Sequence, residues 1–128
     1  MPITIPEGAK YSRIMSVGAA RGSRVVDNAE MCTMIDSTPE WIEQRTGIYE
    51  RRWVAEGETA LTLAVDASRK AIERSGLSVE QIDTVIISTV SHYMNTPSMA
   101  TLLANELGMP EPAAFDISAA CAGYCYGI

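Results

Sequence analysis

The stretch from Thr84 to Val90, Thr-Val-Ile-Ile-Ser-Thr-Val, constrains the fold more than any other part of the chain. Nearly every residue in it is β-branched, a type that is stiff at χ1 and packs well on a pleated surface. It lacks polar alternation, so it predicts a strand covered on both faces, as in a sheet layered between helices. The residues before it supply such a helix. From Glu58 to Ser75, Leu61, Ala64, Val65, Ser68, Ala71 and Ile72 fall on one stripe, and Gly76 stops the run. Ser78 and Gln81 are spaced as a capping box for a short helical turn. Strand, helix and buried strand predict an α/β layered fold.

The remaining elements follow from local rules. Residues 1–11 hold two prolines and a glycine and read as a loose arm before a single folded region, 12–128. Ser12 to Ala19 reads as a first strand with Met15, Val17 and Ala19 on one side. Arg21 to Arg24 reads as a polar turn. Asp27 or Asn28 can cap a helix carrying Met31, Cys32 and Ile35. Tyr49 to Val54 alternates as a strand, which puts Arg51 and Arg52 on opposite faces. Thr96 is placed to cap a further helix, with Pro97 at its first position and Met99, Leu102, Leu103 and Leu107 as its apolar stripe, ending at Gly108.

Composition excludes several function classes. With 128 residues the chain can bury a real core, and its 47% hydrophobic content is ordinary for a globular protein. No run approaches the roughly 20 apolar residues that span a bilayer. The first residues lack the basic start and apolar stretch of a secretory signal, so a cytoplasmic location is expected, without membrane association. The net charge of −6 argues against nucleic-acid binding, and it fits an acidic protein partner only through a local basic patch. Cys32, Cys121 and Cys125 are an odd set, which argues against a disulfide framework. With His92 as the single histidine, no metal site is expected.

Two stretches carry chemistry. The first runs from Ala114 to Ile128. Phe115 to Ile117 reads as the end of a short buried strand, and Ser118, Ala119 and Ala120 are small enough for a tight turn. Cys121 then falls where a helix would begin, and unpaired N–H groups there favour the nucleophilic thiolate. Ala122 and Gly123 leave room for an acyl group on the sulfur. The local pattern also fits a buried cysteine acting as a small hydrophobe.

The second stretch is Asp36-Ser-Thr-Pro-Glu-Trp-Ile-Glu-Gln-Arg-Thr-Gly47. Thr38 is a good N-cap, Pro39 suits the first helical position, and Gly47 is a stop. Trp41 and Arg45 then share a helix face and form a platform for a flat, phosphate-bearing ligand. Spacing alone favours the plainer alternative, a packed Trp41 beside an Arg45 in a surface ion pair. His92 lies in a loop, and nothing in the sequence brings it to the sulfur as a general base.

The segment Asp116-Ile-Ser-Ala-Ala-Cys121-Ala-Gly-Tyr resembles the nucleophile segment of the β-ketoacyl-acyl-carrier-protein synthase III family of thiolase-like enzymes. Residues 36–48 resemble that family's second signature, with Pro39 in place of the usual acidic residue before Glu40. The resemblance implies the N-terminal half of a thiolase-like α/β fold with a mixed sheet, incomplete in this chain and ending just after the nucleophile. It makes Cys121 the residue that carries the acyl group. It assigns Trp41, Arg45 and Thr46, and more weakly Ser37, to coenzyme A. It places Thr96 at the partner subunit's acyl pocket, where a threonine in place of a bulky aromatic implies a deeper pocket.

The reaction so implied is a decarboxylative Claisen condensation of an acyl-coenzyme A primer with malonyl-acyl-carrier-protein, which initiates fatty-acid synthesis in a homodimer. No cofactor is implied, because the coenzyme A thioester is a substrate. The family's catalytic histidine and asparagine match no position here, so the fragment alone is expected to be inactive. The alternatives are another thiolase-like condensing enzyme, of a polyketide or quinolone pathway, and a non-catalytic domain that binds coenzyme A or a partner.

Overall fold

A computed structural model describes residues 10–128; the loose arm expected over residues 1–11 lies outside them apart from Lys10 and Tyr11. The first part of the fold is a small hairpin with two helices. Strand β1 (Arg24–Asp27) leads into helix α1 (Asn28–Met31), helix α2 (Pro39–Thr46) and strand β2 (Glu50–Trp53). The two strands pair antiparallel, Arg24 opposite Trp53 and Asp27 opposite Glu50. Val26 is completely buried between them and their neighbours. Arg51, the inward arginine of the alternating pair, donates to Asp27 O at 3.0 Å and to Asn28 Oδ1 at 2.6 Å. Asn28 in turn donates to Ile48 O at 2.8 Å, so the one polar side chain in this core is fully occupied.

The second part is the α/β unit that positions the site. Helix α3 (Ala60–Ser75) is followed by a 3₁₀ turn (Val79–Gln81), strand β3 (Thr84–Ser88), helix α4 (Met99–Glu106) and strand β4 (Ala113–Ile117). A second 3₁₀ turn (Ala120–Ala122) and helix α5 (Gly123–Gly127) follow. Strands β3 and β4 pair parallel, Thr84 with Ala113 through Ser88 with Ile117, and α4 is their crossover. Val85, Ala100, Leu103 and Ala104 form the core with Val65 of α3. Leu103 is only 5% exposed, so Leu103→Ala is expected to cost about 2–5 kcal/mol and to lower the midpoint of a urea transition without changing its slope.

Several expectations are corrected. Residues 12–19 alternate like a strand but form none, because no strand lies alongside to complete a ladder among the described residues. They run along α3 instead: the Ser16 hydroxyl donates to Ala71 O at 2.6 Å, and Arg74 donates to Val17 O at 2.8 Å. A Cβ on Gly18 would collide with the Ala67 carbonyl, so glycine is needed for this approach. The polar turn expected at Arg21–Arg24 ends one residue early, since β1 begins at Arg24. The helix expected to reach Ile35 stops at Met31, although its Asp27 cap forms as predicted. Helices α3 and α4 cover one face of strand β3, and the other is met at its end by Gly123 of α5, against Ser88. Val85 is buried against the helices, whereas Ile86 and its partner Phe115 are exposed on the other side. The expected mixture of strand senses is present, antiparallel in β1–β2 and parallel in β3–β4.

Glu58, in the link between the two parts, closes the open end of the hairpin. Its carboxylate accepts from Ala55 N at 2.8 Å and from Ser23 N at 3.0 Å. These amides, Ala55 first, hold its pKa below the ordinary glutamate value. A depressed carboxylate stabilises the fold above its unfolded pKa, and this is lost as pH falls through the folded value. Melting curves of the wild type and Glu58→Gln are therefore expected to differ near neutral pH and to converge on acidification below the usual carboxylate range.

Candidate active site

Cys121 stands just past the carboxyl end of β4, and its thiol is free and exposed. The helix predicted to start at Cys121 starts instead at Gly123, and Cys121 lies in the 3₁₀ turn before it. The cause is Ala120, whose φ of +44° puts a non-glycine residue in the left-handed region. That conformation costs roughly 1–2 kcal/mol and persists where surrounding contacts impose it, commonly at functional turns. One such contact is on α5. Gly123 is buried with its Cα against Ser88, and a Cβ there would run into the Ser88 side chain.

The turn is closed by Ala122 N donating to Ala119 O at 3.0 Å and by Gly123 N donating to Ala120 O. The Cys121 N–H lies between these two and belongs to neither bond. Ser88, Thr89, Val90, Ala120 and Cys121 wall an open recess. It sits outside the carboxyl ends of two parallel strands, where α/β sheets generally receive ligands. Thr89 and Val90 were not singled out from sequence. The signal was present, since they are the tail of the β-branched run, where the strand ends and the loop begins.

The second stretch folds as read. The Thr38 hydroxyl caps α2 by accepting from Trp41 N at 3.2 Å, Pro39 is at its start, and Gly47 closes it with φ +67°. Trp41 is 56% exposed, and the Arg45 guanidinium lies 5.9 Å from its ring centroid, so both groups present one face to solvent. Ile35, Asp36, Ser37 and Thr38 complete a recess beside the indole. Within it the Ser37 hydroxyl is buried and has no hydrogen-bond partner. The Thr46 hydroxyl is occupied locally: it donates to Ile42 O at 2.6 Å and accepts from Ile48 N at 3.1 Å.

Trp41, Arg45 and Ser37 are thus brought together, while Cys121 stands on the other sheet. Thr96 is an exposed loop residue joined to Pro97 by a cis peptide bond. The helix cap predicted at Thr96 falls at Ser98, whose hydroxyl accepts from Thr101 N at 3.2 Å, and α4 begins at Met99 rather than Pro97. The reason is Asp116, whose carboxylate accepts from Met99 N at 2.7 Å and Ala100 N at 2.8 Å and so fixes where the helix starts. His92 is bonded within its own loop. Its Nε2 donates to Pro97 O at 3.1 Å, and it lines a different recess with Tyr93, Met94 and Leu61.

No family model matches the chain. Curated relatives do. It is 48% identical over 122 residues to β-ketoacyl-[acyl-carrier-protein] synthase III 1 of Streptomyces avermitilis, covering 95% of this chain and 34% of that protein. It is 50% identical over 118 residues to β-ketoacyl-[acyl-carrier-protein] synthase III of Kocuria rhizophila, covering 92% of this chain and 33% of that one. Among solved structures, the priming β-ketosynthase of the R1128 polyketide biosynthetic pathway superposes with a TM-score of 0.91 at 45% identity, over 98% of this chain and 37% of that one. The 3-oxoacyl-[acyl-carrier-protein] synthase III of Aquifex aeolicus superposes with a TM-score of 0.83 at 37% identity, over 88% of this chain and 36% of its own. The chain spans about a third of the length of the curated relatives it matches. In sequence and in fold it is similar to that share of the β-ketoacyl-[acyl-carrier-protein] synthase III proteins, with their thiolase-like α/β architecture.

Proposed function

We propose that this chain is the nucleophile-bearing part of an acyltransferase that condenses an acyl-coenzyme A primer with malonyl-acyl-carrier-protein. The observation that carries the reading is the exposed Cys121 thiol on a strained turn, facing an open recess at the carboxyl ends of two parallel strands. In the proposed reaction the Cys121 sulfur attacks the thioester carbonyl, coenzyme A leaves as its thiol, and an acyl-cysteine remains. The Cys121 N–H, free of the turn's own bonds, is one donor to the oxyanion. Malonyl-acyl-carrier-protein then loses carbon dioxide. The resulting carbanion attacks the acyl-cysteine, releasing 3-oxoacyl-acyl-carrier-protein and the free thiol.

In this reading the nucleotide end of coenzyme A lies on Trp41 and Arg45, the unpartnered Ser37 hydroxyl supplies a hydrogen bond, and Thr46 shapes the helix end beneath. Thr96 limits primer length less than an aromatic residue would. The enzyme works as a cytoplasmic homodimer and starts fatty-acid synthesis. A second reading, priming of a polyketide pathway, is favoured by the likeness to the R1128 ketosynthase. Product analysis on the full-length protein with malonyl-acyl-carrier-protein and a series of acyl-coenzyme A primers tests both. Turnover of none of them sinks the proposal, and a strict preference for acetyl-coenzyme A sinks the deep pocket.

Trp41→Ala is expected to raise KM for the acyl-coenzyme A about tenfold with kcat nearly unchanged, because stacking on a base contributes roughly 1–3 kcal/mol to ground-state and transition-state binding alike. Steady-state kinetics of the full-length enzyme check this. A fall in kcat with KM unmoved would place Trp41 elsewhere.

A further inference from the structure

The connection between β3 and α4, residues 89–98, is held at both ends by consecutive residues of β4. At its start, Thr89 N donates to Ile117 O at 3.1 Å, one step beyond the strand ladder. At its end, the two carboxylate oxygens of Asp116 take the N–H groups of Met99 and Ala100 at 2.7 and 2.8 Å. The other hydrogen bonds of its side chains run within the connection or to the first turn of α4. The Thr89 and Ser91 hydroxyls meet at 3.0 Å, His92 donates to Pro97 O, and the Ser98 hydroxyl bonds the Thr101 hydroxyl and amide.

This connection contributes Thr89 and Val90 to the wall of the Cys121 recess, and the thiol itself follows Asp116 by five residues. The first residue of the wall is thus bonded to Ile117, the far end of the connection to Asp116, and the thiol follows both from the same strand end. Ile117 contributes only a carbonyl, which any residue would offer. Asp116 contributes a side chain. A carboxyl group offers one oxygen to each amide, which a side-chain amide in its place cannot.

We propose that Asp116 is a specificity-determining positioning residue: by anchoring the start of α4 it sets the gap between the Cys121 sulfur and the Thr89–Val90 wall, and hence which acyl chains fit. This rests on the reading of Cys121 as the acyl-carrying nucleophile. Asp116→Asn keeps the size but turns an amide group toward one of the two N–H donors, so the connection loses its anchor. Asp116→Glu keeps the carboxylate and pushes it one methylene further out.

The test is the ratio of kcat/KM for acetyl-coenzyme A to that for dodecanoyl-coenzyme A in the full-length enzyme. A loss of folded protein scales both constants alike and leaves their ratio unmoved, so a merely structural role does not register. Asp116→Asn is expected to shift the ratio roughly tenfold, since a displacement of about 1 Å can change a rate a hundredfold. Asp116→Glu is expected to shift it less, by about threefold, and carries the test alone if the asparagine variant does not fold. Ratios equal to the wild type's, with both constants lowered together, overturn the inference. A wild type that turns over neither thioester overturns the functional reading instead, a result obtained before any variant is made.

Discussion

Cys121→Ala in the full-length enzyme is expected to abolish condensation, lowering kcat by about 10⁴-fold or more, while the melting temperature barely moves. The two halves of this expectation have separate causes. In the proposed reaction the sulfur is the atom that forms and breaks the bond to the acyl group, and an enzyme without its nucleophile keeps only what binding and oxyanion stabilisation supply. The thiol is also exposed, so truncating it opens no core cavity, and surface truncations commonly stay within about 0.5 kcal/mol. Cys125, equally exposed and four residues further along α5, is the control. Cys125→Ala should leave turnover near the wild-type rate. Comparable loss in both variants would mean that the integrity of the terminal turn, rather than one sulfur, is what matters.

Gly123→Ala is the second large effect expected, and it acts without touching the proposed nucleophile. The added methyl would run into the Ser88 side chain, with the Ser88 Cβ itself only 3.0 Å away. The hydroxyl can rotate aside, but the Cβ is fixed to the strand, so α5 must move off β3. Cys121 and Ala120 precede Gly123 directly and move with it. A shift of about 1 Å at the sulfur is enough to lower kcat/KM roughly a hundredfold. Ser88→Ala removes the overlapping hydroxyl, and the double variant Ser88→Ala with Gly123→Ala should recover part of that loss. If the double variant is no better than Gly123→Ala alone, the contact with Ser88 is not what seats the turn.

What could be read from the residues was whatever a few neighbours decide among themselves. Thr38, Pro39 and Gly47 bracket α2 through local caps, and the structure has each in its predicted place. Ser78 and Gln81 form their reciprocal bond within one turn, Ser78 N donating to Gln81 Oε1 at 3.0 Å. Helix α3 starts at Ala60, two residues later than its stripe predicts, because Thr59 and Thr62 make the cap.

Expectations failed where the deciding group is distant in sequence. Residues 12–19 have a strand's alternation, but a ladder needs a second strand, and alternation cannot announce its absence. Helix α4 begins at Met99 because Asp116, seventeen residues on, accepts its first amides. Ala120 has no residue-type signal for a left-handed φ, which glycine or asparagine would have given. The clustering of Trp41, Arg45 and Ser37 was legible because it lies within one short segment. The wall that Thr89 and Val90 give to Cys121 was not, because it depends on β3 and β4 pairing in parallel.

The central claim is that the Cys121 sulfur takes an acyl group from a coenzyme A thioester, and peptide mass mapping tests it most directly. Full-length protein incubated with acyl-coenzyme A, without malonyl-acyl-carrier-protein, is digested under mild acid and its cysteine peptides are weighed. The account predicts one acyl group, on the peptide containing Cys121, and none on the peptide containing Cys32. An unmodified Cys121, or an acyl group found on Cys125 instead, would contradict it.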